Sequence, residues 1–109
     1  MKYLFPLLIS ITMLSSQSIW INEIDYNQPS TDTAEFLEIA GIAGTYTNVS
    51  VVLINGNNNS EYDSFSLNSI IIDDENQGCG FYVIGGSSIP NVDYSSGLPS
   101  SNAIQNGDP

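Results

Sequence analysis

Carboxylates are the only side chains charged at neutral pH that are numerous enough in this sequence to act together. Glu23 and Asp25 stand two positions apart, so alternation along an extended segment places them on one face. Asp32 and Glu35 follow in a polar stretch and at the start of the next apolar run. Hard oxygen donors grouped in this way suit Ca²⁺, which takes about six to eight such ligands, and Asn22, Asn27 and backbone carbonyls are at hand to complete a set. A bound Ca²⁺ would relieve the mutual repulsion of the four acids. The same four residues also read as solvated acids on a sheet edge, where charge discourages pairing with another chain. The sequence leaves both readings open.

Two other acidic patterns fit their chemistry less well. Asp73-Asp74-Glu75-Asn76-Gln77-Gly78 has the early oxygens and the glycine of an EF-hand loop, but Ile84 stands where the bidentate Glu belongs, and a strand-like segment follows where a helix is required. It reads as an acidic turn. Glu23, Glu35 and Glu38 raise the paired-carboxylate chemistry of glycoside hydrolysis, which needs a defined separation that nothing in the sequence sets. Tyr26, Tyr46, Tyr62, Tyr82 and Tyr94 suggest a carbohydrate-stacking platform or, more simply, half-buried packing.

The missing residue types narrow the chemistry further. There is no His, one basic residue (Lys2) and one Cys, against twelve acids, for a net charge of −11. Ser-His-Asp catalysis, His-ligated zinc and phosphate clamps all need side chains that are missing. Nucleic-acid affinity rests on Lys and Arg releasing counterions, so no nucleic acid is expected as a partner of this domain alone. The expectation is a non-catalytic module with no catalytic residue and no cofactor other than Ca²⁺. Its 109 residues suffice for one small domain.

The N-terminus has the pattern of a secretory signal. A positive Met1-Lys2 precedes an apolar run over 3–14, and Ser16 and Ser18 supply small residues at alternate positions before Ile19. The run is shorter than the ~20 apolar residues of a membrane span. Residues 1–18 are therefore expected to be cleaved, leaving 19–109 as a secreted or cell-surface domain with no membrane span and, with Lys2 gone, no basic side chain. Outside the cell a lone Cys79 would be a free thiol, a bridge to another chain or a small buried side chain. Asn48-Val49-Ser50 and Asn58-Asn59-Ser60 are N-glycosylation sequons. Asn58 falls in an expected loop, whereas Asn48 begins an expected strand.

Positioning these groups falls to short β-branched and aromatic runs broken by turn residues, with no sustained helical spacing. Strands are expected over 19–26, 34–39, 48–54, 62–67, 70–72 and 81–84. Asn55-Gly56-Asn57-Asn58-Asn59 is a hairpin signal, because Asn and Gly tolerate positive φ. Strands about ten residues apart favour an all-β sandwich. The weak pattern after Ser95 and the turn-like Asn106-Gly107-Asp108-Pro109 read as the end of a fragment, with a closing strand still to come.

Ile21-Asn22-Glu23-Ile24-Asp25-Tyr26 followed by Asp32-Thr33-Ala34-Glu35-Phe36-Leu37-Glu38-Ile39 resembles the opening of the lamin-tail domain in its secreted form. Val51-Val52-Leu53-Ile54-Asn55-Gly56 and Gly80-Phe81-Tyr82-Val83-Ile84-Gly85 resemble that family's third strand and a glycine-led late strand. Ile89-Pro90-Asn91-Val92-Asp93 and Asn102-Ala103-Ile104-Gln105-Asn106-Gly107 resemble the segments before its last strands, so the resemblance covers nearly all of 19–109. It implies an immunoglobulin-like β-sandwich lacking its last strand or strands, used outside the cell to bind or tether a protein or carbohydrate ligand. The alternative it implies is an N-terminal accessory domain of a secreted hydrolase or nuclease. The tryptophan common in the family's third strand is missing, and Trp20 lies at the start of the domain instead.

Overall fold

The structure, a computed structural model, describes residues 18–27, 30–95 and 103–104. The segment expected to be a secretory signal, apart from Ser18, lies outside those residues, as does the chain end on which the fragment reading rests. Five strands follow in order: β1 (Ile19–Asp25), β2 (Phe36–Ile42), β3 (Gly44–Asn55), β4 (Ser60–Ile72) and β5 (Cys79–Gly85). The described residues contain no helix. Two antiparallel sheets result, one in the order β1-β2-β5 and the other the β3-β4 hairpin, so the fold is all-β.

The sheets share one apolar core. Leu37 and Ile39 alternate along β2 with Phe36 and Glu38, and register sets Leu37 beside Ile84 and Ile39 beside Tyr82. Leu67, Ile70 and Ile72 of β4 close over them, with Ile70, Ile72 and Ile84 1% exposed or less. Each such side chain contributes roughly 1.5–3 kcal/mol by leaving water. Tyr46, Tyr82 and Tyr94 pack against this cluster, and Tyr94 stacks on Phe65 at 6.1 Å between ring centroids. For these three tyrosines, packing is what the structure shows.

Two local features differ from the expected strands. The gap between the strands expected over 34–39 and 48–54 nearly vanishes, since β2 runs to Ile42 and β3 begins at Gly44, with only Ala43 between. The chain thus changes sheets almost without a loop, and the Tyr46 hydroxyl donates to the Ile42 carbonyl oxygen at 2.6 Å across the corner. The segments expected over 62–67 and 70–72 are a single strand. Asn48 and Asn68 both take positive φ (58° and 55°) where the β3-β4 register shifts, so irregular pairing is absorbed without ending either strand.

Candidate functional site

The outer face of the three-stranded sheet carries the site. Strand pairing sets Glu23 opposite Glu38 and Glu38 opposite Val83, making one row across β1, β2 and β5. Facing like charges in a sheet repel. Asn22 is the extra residue where the β1 register shifts between Ile21 and Glu23, and its Nδ2 donates to Glu38 Oε1 at 2.7 Å. The irregularity in β1 therefore supplies a neutral donor to one of two facing acids.

Phe36 and Phe81 lie on either side of that row in register, and with Glu23, Glu38 and Val83 they floor a groove of about 740 Å³. Glu75 and the loop 89–93 form its sides. Gly85 permits the close approach at one end, because a Cβ there would lie 3.0 Å from Ile89 and 3.2 Å from Phe36 Cβ. The loop is fixed to the sheet by Asp93. Its backbone N–H donates to the Val83 carbonyl at 2.8 Å, and its Oδ2 accepts the Val83 N–H at 2.7 Å. Gly85 N–H then donates to Tyr94 O at 3.1 Å, so residues 93–94 run along the outer edge of β5. Burial first, and then electrostatic interaction with Asp93 and Tyr94, holds the Tyr82 phenol above its ordinary value of 10.0.

The four acids considered for Ca²⁺ are dealt to different surroundings. Glu23 lines the groove, and Asp25 pairs with Phe36 at the end of β1. Asp32 and Glu35 are buried, at 7% and 5% exposed. Glu35 accepts the backbone N–H groups of Ala103 and, at 2.9 Å, Ile104, so both its oxygens are engaged in holding a distant segment of the chain. Among the described residues, no group of three or more His, Cys, Asp or Glu is arranged to hold a metal ion.

The acidic turn 73–78 is organised by its own hydrogen bonds, with Asp74 Oδ1 accepting the Gly78 N–H at 2.8 Å. Its Glu75 reaches forward to accept the Phe81 N–H at 3.4 Å, which brings a carboxylate to the groove. Cys79 is exposed at the start of β5. Neither Glu75 nor Asp93 stood out by sequence spacing as a partner of Glu23 and Glu38, since their closeness depends on β5 pairing with β2. Compared with family models, with curated proteins and with solved structures, the chain matches none. No helix among the described residues is long and apolar enough to cross a membrane.

Proposed function

We propose that this chain is a non-catalytic extracellular β module of the lamin-tail, immunoglobulin-like type, binding a basic extended peptide segment in the groove on its outer sheet face. The observation that carries this reading is the groove itself: Glu23, Glu38, Glu75 and Asp93 set around Phe36 and Phe81. Carboxylates accept charge-assisted hydrogen bonds from Lys or Arg, and aromatic faces attract the same cations. The chain's charge of −11 favours encounter with a cationic partner. Secretion is supported by the N-terminal sequence pattern, and the family reading by the motifs of β1, β2 and β5.

Trp20 provides a probe. Register sets Trp20 opposite Ala40 and Ala40 opposite Phe81, so the only tryptophan sits on the groove's face, in the same row as Phe81 and two strands away. Titration of its fluorescence with an arginine-rich peptide should give a saturable change that weakens with salt. A neutral oligosaccharide producing the larger change would replace the peptide reading with a carbohydrate one, and no response to either would remove the groove as a binding site.

A further inference from the structure

The Asn55–Ser60 turn at the tip of the β3-β4 hairpin belongs to neither the groove nor the core. Residues 56–60 are all exposed. Two side chains fold this turn on itself. Asn55 Oδ1 accepts the Asn57 N–H at 2.9 Å, and Asn58 Oδ1 accepts the Ser60 N–H at 2.9 Å. The Asn59 N–H donates to the Asn55 carbonyl at 2.9 Å, with Asn59 at a φ of 57°.

We propose that Asn58 is the N-glycosylated residue of this protein and that Asn48 is not modified, an inference that rests on the secretion part of the functional reading. The hydrogen bond from the Ser60 N–H to Asn58 Oδ1 bends the acceptor triplet so that its first and third residues meet, and Asn58 is exposed at the turn. Asn48 is placed differently. It lies within β3 at the register shift between Thr47 and Val49, its left-handed backbone is part of the irregular pairing, and Val49 beside it packs on the core. A triplet held in a strand is a poorer acceptor than one at an exposed turn, because the chain must be drawn out of its sheet to reach an enzyme.

The reaction is transfer from a lipid-diphosphate-linked oligosaccharide. The Asn58 Nδ2 forms a C–N bond to the anomeric carbon as the bond from that carbon to the diphosphate oxygen breaks. The lipid diphosphate leaves with the electron pair, and the amide gives up one proton. A glycan at this tip would cover Val52 and Ile54, which are 47% and 59% exposed near the end of β3 and would otherwise present apolar surface on an open strand.

The test is translation of the full chain in the presence of glycosylating microsomes, scored by protease protection and by an endoglycosidase-sensitive mobility shift. The proposal expects a protected product carrying one glycan, a shift kept in Asn48→Gln and lost in both Asn58→Gln and Ser60→Ala. A protected product without a shift, or one whose shift depends on Asn48, overturns the glycan assignment and leaves secretion standing. An unprotected product overturns secretion, and the glycan assignment with it.

Discussion

Glu35 accepts a 2.9 Å hydrogen bond from the backbone N–H of Ile104, a residue 69 positions further along the chain. The same carboxylate also accepts the N–H of buried Ala103, so one side chain at the entry to β2 serves two backbone donors. Buried N–H groups left unpaired are costly. Glu35→Ala should therefore cost on the order of 2–4 kcal/mol, seen as a lower denaturation midpoint. Amide exchange at 103 and 104 should accelerate ahead of exchange in β4. Glu35→Gln keeps one acceptor and should lose less.

Gly80 is required by its neighbour across the turn. A Cβ built on it would come within 2.0 Å of the Asp73 carbonyl oxygen, a backbone atom that cannot move without opening the 73–78 turn. Gly80→Ala should destabilise the fold by roughly 1–3 kcal/mol, the usual cost of forcing a methyl group into a filled space. Gly56→Ala meets nothing within 4 Å and serves as the control, with a midpoint close to that of the parent.

Alkaline stability should report on Tyr82. Its pKa is raised in the folded state by burial and then by Asp93 and Tyr94. The neutral phenol is thus favoured by folding, so its contribution is fully present below the unfolded-state value near 10 and is lost as pH rises through the folded-state value. Tyr82→Phe should flatten the fall in stability above pH 10, and Asp93→Asn should lower the Tyr82 titration midpoint seen in phenolate absorbance.

Glu23 and Glu38 face one another across β1 and β2. Replacing Glu23 by Gln removes that repulsion and should raise the melting midpoint of the free protein while weakening its attraction for a basic peptide. Opposite signs in the two assays distinguish a functional charge from a structural one. A midpoint that falls would mean the Glu23 carboxylate has a stabilising partner.

The strands were legible from the sequence, and the groove was not. β-branched and aromatic runs mark β1 to within a residue and the middle of β5, and the asparagine-rich turn at 55–59 announces the β3-β4 hairpin. The strand breaks near 41 and 68 were misleading. Gly41 reads as a turn residue but lies inside β2, where a Cβ would come within 2.6 Å of the Ser18 carbonyl oxygen. Asn68 reads as a strand end but adopts positive φ inside β4. Glu35 was legible as a chemically interesting acid, yet its backbone partners lie so far along the chain that spacing carried no hint of them. The groove joins residues from β1, β2, β5 and two turns, a juxtaposition that only pairing of β5 with β2 creates.

The most direct test of the account is amide chemical-shift mapping of the folded chain with an arginine-rich peptide at low salt. A basic peptide held in the groove gives saturable shifts concentrated at Glu38, Phe81, Val83 and residues 89–93, strongly reduced in a Glu23→Gln, Glu38→Gln double variant that keeps the parent spectrum elsewhere. Shifts spread evenly over the acidic surface, shifts confined to the hairpin tip, or saturable binding unchanged in the double variant would contradict it.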